Sequence, residues 1–499
     1  MSLEGEMILL SINELEVLAG QFAETDPATA ISVMEEICSK AEDKEDFEAA
    51  LAWYEKIVEL ASVKGFLFDA ARAHFNAGLL FRFLEKVDAA VSSYSLAAEG
   101  FAQEGQERHM LDALMESCET LANALQWERL IPIAEEARRI ANIEEEFNLA
   151  GRACAFLSNA YFESVPALGV ALDNDEYFIA LEYAVEAENH FKNSGDVIRM
   201  VKILVEKSSI LGFLDREPED LEALKEAEEL LKDVPDVEQN WHIYKNVFLA
   251  LGQCYERAKE NLSGIDAYEK AKIYFEKLGV LENDSQPHLY LAYCQTQAEE
   301  YQNALQNFEK ARDIALKNDN RWYFYRAEFG IADVLGDLEK HSEVIEKCEL
   351  AIQNWKIDNE FIGANLVIFT NLLTFSLNQL GRFQETLERL KTISEIDDYF
   401  LTLEEALVFE LRAGEALIGL EKLSEANEKL NLVIERLPKP YSDYTRQLAA
   451  EAYELRGRAN FDFNREASLL DLGKAVSEYL LSSKESAASK IVEEFKLVL

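Results

Sequence analysis

Small and apolar residues return along this chain at helical spacing, and one short pattern recurs at steps near forty residues. A small residue, an aromatic four positions on and a second small residue three further on occur at Ala90, Tyr94 and Ala97. The same trio stands at Gly264, Tyr268 and Ala271, then at Ala304, Phe308 and Ala311. Weaker copies start at Ala50, Ala180, Ala223, Val344, Thr386 and Ala426, with steps of 41, 40, 40, 42 and 40 residues between starts from Ala223 onward. Between the trios, runs such as Ile31, Met34, Ile37 and Cys38 keep the i, i+3, i+4, i+7 spacing of an amphipathic helix. Ser11 and Glu14 form a capping box that opens a first helix, and Asp26-Pro27 caps and starts the next. A fixed period of this length predicts an all-α solenoid, in which each helix pair buries a face that it cannot cover alone.

The best-defined copy reads "AHFNAGLLF" followed by "AAVSSYSLAA", with Gly78 twelve residues before Ala90. Gly252 stands twelve before Gly264 in "LGQCY", and Gly414 twelve before Ala426, with Pro438 twelve after it. These residues resemble the tetratricopeptide repeat family, with Leu-Gly-x-x-Tyr in a first helix, Ala-x-x-x-Phe-x-x-Ala in a second and a closing Pro. The resemblance covers roughly residues 30 to 440. Its usual unit is about 34 residues, so this chain is similar to a long-repeat type of about 40 residues. It implies a right-handed superhelix of antiparallel helix pairs, ten to eleven units long. The expected organisation is an N-terminal capping helix in 1–30 and an array in 31–440. Divergent C-terminal helices in 441–499 would then cap it. Two places break the rhythm: an insertion at about 163–178, and the proline pair in "LPKPYSDY".

Composition agrees with helix throughout, since the chain has only eight prolines and 21 glycines in 499 residues. The formal charge is −45, from 94 acidic and 49 basic residues, which argues against nucleic acid and against an anionic membrane surface. The acid either complements a basic partner or keeps long solvated helix faces soluble. Six scattered cysteines with no CxxC pair read as small buried hydrophobes in a reducing compartment. The opening "MSLEGEMILL" carries acid where a secretion leader carries base, and no run nears the ~18 apolar residues of a membrane span. A cytoplasmic protein is expected.

No Gly-rich phosphate loop, HExxH or GxSxG motif is present. The six histidines are scattered, with no metal-spaced pair and none near a cysteine in sequence, and "ALDNDEYF" lacks the glycine and terminal glutamate of a calcium loop. No enzyme, metal or cofactor is expected. In the resembled family the first helices of successive units line a concave groove that grips a protein or peptide. Aligned on the small residues, that wall would hold Arg72, Phe75, Leu79, Arg82 and Phe83, then Asn246, Leu249, Gln253, Glu256 and Arg257. Leu289 and Tyr293, then Arg326, Phe329 and Asp333, then Ile368, Asn371, Phe375 and Asn378 would continue it. The lysine with which the chaperone-binding branch holds a C-terminal carboxylate is missing at Phe75, Leu249, Leu289, Phe329 and Asn371. The expectation is therefore a non-catalytic scaffold for a protein or peptide partner, with a basic one favoured if the charge takes part. The alternative is a sensor of a small peptide acting through a separate output partner.

Overall fold

A computed structural model describes residues 7, 10–164, 175–355, 364–394, 402–439, 442–482 and 484–495. Contacts divide the chain into two compact units, Met1–Lys259 and Glu260–Leu499. The first holds α1 (Ile12–Phe22), α2 (Pro27–Glu42), α3 (Phe47–Lys64), α4 (Leu67–Phe83), α5 (Val87–Gln103), α6 (Glu107–Asn123), α7 (Trp127–Ile143), α8 (Phe147–Glu163), α9 (Asp175–Ser194), α10 (Val197–Phe213), α11 (Glu217–Leu230) and α12 (Trp241–Arg257). The second holds α13 (Asn261–Lys277), α14 (Gln286–Gln297), α15 (Tyr301–Lys317), α16 (Arg321–Asp337), α17 (His341–Trp355), α18 (Ala364–Gln379), α19 (Phe383–Ser394), α20 (Leu403–Gly419), α21 (Leu423–Arg436), α22 (Asp443–Asn460), α23 (Arg465–Leu481) and α24 (Glu485–Phe495). Among the described residues there is no strand. The inserted segment expected at 163–178 lies largely outside the described residues, as does the centre of "LPKPYSDY".

The first two helices start as their sequence dictates. Ser11 N donates to Glu14 Oε2 at 2.8 Å and Glu14 N to Ser11 Oγ at 3.4 Å, closing the capping box. Asp26 accepts from Thr29 N at 3.3 Å, with Pro27 in the first turn where its missing N–H costs nothing. Beyond these, a metronome sets the fold. A residue with positive φ closes a helix at Glu45, Gly65, Glu85, Gly105, Leu125 and Glu145, one every twenty residues. At each, the next amide folds back on the last helical turn, as Lys86 N does on Phe81 O at 2.9 Å. Helices of seventeen residues separated by three-residue turns therefore start at 67, 87, 107, 127 and 147.

Packing within a pair depends on the small residue of the first helix. Gly78 lies under Tyr94, so that a Cβ there would meet Tyr94 Cε1 at 2.6 Å and Cδ1 at 2.7 Å. Tyr94 is fully buried in consequence. Gly414 meets the side chain of Leu430 in the same manner, while Gly330 of α16 takes the ring of Phe308 from the preceding pair. Twelve residues on from the small position comes its partner: Cys38 Sγ donates to Ala50 O at 3.7 Å, and Thr386 Oγ1 to Thr374 O at 3.5 Å. This register corrects one assignment. The copy placed at Ala223 belongs at Asp220, twelve residues after Ser208 and fourth in α11, as Ala90 is fourth in α5. A fully buried carboxylate hid the repeat there; it is held by the Ser208 hydroxyl and the Arg257 guanidinium. The step to Gly264 is then 44 residues, the excess lying in two 3-10 turns at Leu231–Asp233 and Glu238–Asn240.

In each unit the first helices of successive pairs (α4, α6, α8, α10, α12; then α14, α16, α18, α20, α22) pack on one another more closely than the second helices do. Each unit therefore curves with its first helices on the inner side. The six cysteines are all buried and free, as their apolar surroundings foretold. No helix among the described residues is long and apolar enough to cross a membrane.

Two stability outcomes follow from this packing. Gly78→Ala should destabilise the first unit by ~1–3 kcal/mol, since the buried Tyr94 ring has nowhere to move, and this outweighs the ~1 kcal/mol gained in helix propensity. Urea denaturation followed by circular dichroism reads the change. Glu85→Gly should instead stabilise it by about 1 kcal/mol, because a side chain is strained in the left-handed region and glycine is not. An unchanged urea midpoint would show that the turn carries no such strain.

Candidate functional site

The inner face of the first unit begins at α2, α3 and α4. Glu42, Phe47, Tyr54, Asn76, Leu79, Leu80 and Phe83 line a cavity of about 500 Å³ there. Two of these, Leu79 and Phe83, are residues that the sequence placed on the wall. Phe83 is 69% exposed and meets Phe47 edge-on at 5.3 Å between centroids. On the floor, Tyr54 OH donates to Glu42 Oε1 at 2.8 Å. The other wall residues of α4 have local occupations. Phe75 packs on Tyr94 at 5.8 Å. Arg72 is paired with Glu35 of α2 at 2.6 Å and Asp69 at 3.0 Å. Arg82 reaches Glu116 of α6 at 2.6 Å and Glu119 at 3.6 Å. These arginines tie successive first helices together.

Farther along the same unit, Asn246 is exposed, Gln253 half-buried and Arg257 exposed with its guanidinium on Asp220. Between these two regions stands a group that no motif announced. Glu206 of α10 is half-buried, and its Oε1 is cut off from solvent without a hydrogen-bond partner. Burial pushes the carboxyl up to about 8, with Glu163 adding repulsion and Ser158 opposing the shift. Phe162, four residues after Ser158, forms with Tyr177 and Phe213 an aromatic cluster with centroids 5.3 to 5.8 Å apart.

In the second unit the predicted wall residues gather in two places. Tyr293 OH donates to Arg326 O at 3.1 Å, and the Arg326 guanidinium lies over Tyr293 and Trp322. Phe329 packs edge-on against Phe369, and Leu289 is fully buried in the core, so both serve the repeat packing. Burial and the neighbouring Asp337 push the Asp333 carboxyl up to about 6. Asn371, Phe375 and Asn378 converge on Arg412, a buried residue that the sequence reading missed. Arg412 Nε donates to Asn371 Oδ1 at 3.1 Å, its guanidinium stacks over Phe375, and its charge is met by Glu415 at 3.4 Å and Glu451 at 3.0 Å. Asn378 is itself buried. Its amide donates to Arg412 O and Glu415 Oε2, each at 3.0 Å, and it accepts from Thr386 Oγ1 at 2.7 Å. Asn371 and Asn378 are thus engaged inside the fold. Arg412 lies two residues before Gly414, a place with no signature in the repeat pattern.

His190, 36 residues from Cys154 in sequence, comes to it in space. The ligand atoms of Cys154, Glu186 and His190 lie within 4.8 Å of one another. The group is a poor fit for a metal. Glu186 already takes Arg138 Nη1 at 2.9 and 3.0 Å, and burial and Glu186 drive the Cys154 thiol far above its usual range, so it keeps its proton.

No family model matches the chain, and no curated protein matches it. Its structure is similar to the apo form of RapI, at 14% identity over 78% of this chain and 100% of that one, with a TM-score of 0.51. It is also similar to a tetratricopeptide repeat protein from Parabacteroides merdae, at 16% identity over 59% of this chain and 97% of that one, with a TM-score of 0.43. A Rap protein complexed with competence and sporulation factor shares 13% identity over 75% of this chain and 99% of that one, with a TM-score of 0.45. Such identities carry architecture and not chemistry. With small residues seated under the rings of the second helices and the first helices lining the inner face, the chain is, in fold, a helical-repeat protein of the tetratricopeptide type.

Proposed function

We propose that the chain is a non-catalytic interaction protein that holds a protein or peptide segment on the inner, first-helix face of its first unit. The observation that carries this reading is the cavity of about 500 Å³ between α2, α3 and α4. A solvated aromatic, Phe83, stands at its edge and a carboxylate, Glu42, on its floor. An apolar side chain of the partner seated there covers Leu79 and Phe83, whose exposure otherwise costs free energy. A basic flank on the partner would suit the acid of this chain, because complementary potentials steer encounter and fix register. The arginines of the wall do not supply the contacts. Arg72 and Arg82 are held by Glu35 and Glu116, and they order the face instead of reading the partner.

The test is capture from the native cell extract by the intact chain and by a Leu79→Ala/Phe83→Ala variant, followed by affinity measurement with the protein retained. Anchors of this kind contribute ~2 kcal/mol each on truncation, so the variant should bind at least roughly thirtyfold more weakly. Because both side chains are part-exposed, melting should move little. A partner held equally by both proteins would place binding on another surface and sink the proposal. Affinity that falls steeply as salt rises through the physiological range assigns part of the −45 charge to binding.

A further inference from the structure

At some crossings of neighbouring first helices the residue four after the small position of one helix makes a polar contact with the residue two before the small position of the next, while at others, such as Ala122 with Phe156 and Gly336 with Leu372, these places hold small or apolar residues. Arg82, four after Gly78, reaches Glu116, two before Cys118, at 2.6 Å. Asn378, four after Thr374, donates to the carbonyl of Arg412, two before Gly414, at 3.0 Å. Between α8 and α10 the same two places hold Phe162, four after Ser158, and Glu206, two before Ser208. Glu206 thus takes the place that Glu116 has at the Arg82 crossing, and a ring takes the place of Arg82.

Among the described residues no cation pairs with Glu206. Glu206 Oε1 has no hydrogen-bond partner, and the charge that acts on the carboxyl is that of a second acid, Glu163. Lys207, next in sequence, is turned to Glu188 at 2.7 Å. The linking residues 165–174 contain no Lys, Arg or His. A carboxyl oxygen held out of water without a partner is costly in either protonation state.

The surroundings repeat the cavity at the start of the unit. Tyr177 stands three before Ala180 as Phe47 stands three before Ala50, and Phe213 closes α10 as Phe83 closes α4. Tyr177 and Phe213 stack at 5.6 Å where Phe47 and Phe83 meet at 5.3 Å. Glu206 lies seven before Phe213, in the place that Asn76 takes seven before Phe83. Phe213 is 60% exposed, so the ring cluster opens to solvent two helical turns along α10 from Glu206.

We infer that this niche receives the guanidinium of an arginine on the bound peptide, paired with Glu206 and laid against the Phe162–Tyr177–Phe213 rings. Arginine fits better than lysine because its planar, weakly hydrated head stacks on aromatic faces while its fork meets a carboxylate. The inference rests on the reading of the first-helix face as the binding face and names one residue of its ligand.

The experiment titrates the full chain with three short capped alanine peptides that differ only at a central arginine, citrulline or lysine. Citrulline has the shape of arginine without its charge. The arginine peptide should bind at least about tenfold more tightly than the citrulline peptide, the worth of a charge-assisted hydrogen bond. Glu206→Gln, nearly isosteric, should reduce that ratio to about one with the circular dichroism unchanged. Phe162→Arg should restore the crossing within the chain. It should raise the melting temperature and abolish preference for the arginine peptide, and adding Glu206→Gln to it should remove the thermal gain. Equal affinity for arginine and citrulline, a preference that survives Glu206→Gln, or no binding of any peptide would each overturn the inference. A preference for lysine would overturn the choice of arginine. Partner capture that still depends on Leu79 and Phe83 would, in those cases, leave the proposed function standing while this niche falls.

Discussion

The structure depends on the close approach of two helices at a residue with little or no side chain. Gly78 allows the ring of Tyr94 to lie directly on the backbone of α4, and Gly330 does the same for Phe308. Where glycine is replaced by Cys38 or Thr374, the contact becomes a hydrogen bond with the residue twelve positions on. That constraint can recur only if each helix and turn spends the same number of residues, which is what left-handed residues every twenty positions secure. Among the described residues, eight of the ten non-glycine positions with positive φ are acidic, Glu45, Glu85 and Glu145 among them. Part of the net charge therefore belongs to the turns and needs no partner to account for it.

Once pairs are seated this way, the first helices of neighbouring pairs come close and their facing positions must be chemically settled. Most are settled internally. Arg72 with Glu35, Arg82 with Glu116 and Glu119, and the Arg412 cluster with Asn371, Glu415 and Glu451 are charges whose burial is offset by opposite charges and hydrogen bonds in reach. A face built so is ordered before anything binds, which lowers the entropy cost of binding. Among what remains open on it in the first unit are the rings of Phe83 and Phe213, the first sharing its cavity with the Glu42 carboxyl.

The architecture was legible because it depends on residue size at fixed spacing, and size is written in the sequence. The caps at Ser11 and Asp26, the pairs around Gly78 and Gly414 and the burial of all six cysteines could be read directly. The register failed at Asp220 because a carboxylate filled a small-residue place, its acceptability depending on Ser208 and on Arg257, 37 residues away. The same limitation governed the site. Alignment placed Arg72, Arg82 and Asn378 on the inner face, but whether a side chain there points at solvent or at the next helix depends on its neighbour forty residues on. Leu79 and Phe83 emerged as open because nothing in α2 or α6 claims them for the core, a fact no single helix contains.

Glu206 illustrates the converse. In sequence it is one of 94 acidic residues, unremarkable in a helix that runs Val197–Phe213. Its meaning comes from comparison with another crossing in the fold, where Arg82 meets Glu116. A repeat protein supplies its own controls, since each pair shows what a given position does when it is structurally employed. A position that keeps one half of a pair and loses the other is then distinguishable from ordinary surface acid. Pairing within the chain would have been the cheaper arrangement, because Arg82 shows that it can be built. Its loss at Phe162, beside two further rings, exchanges internal stability for a carboxyl that a ligand can complete.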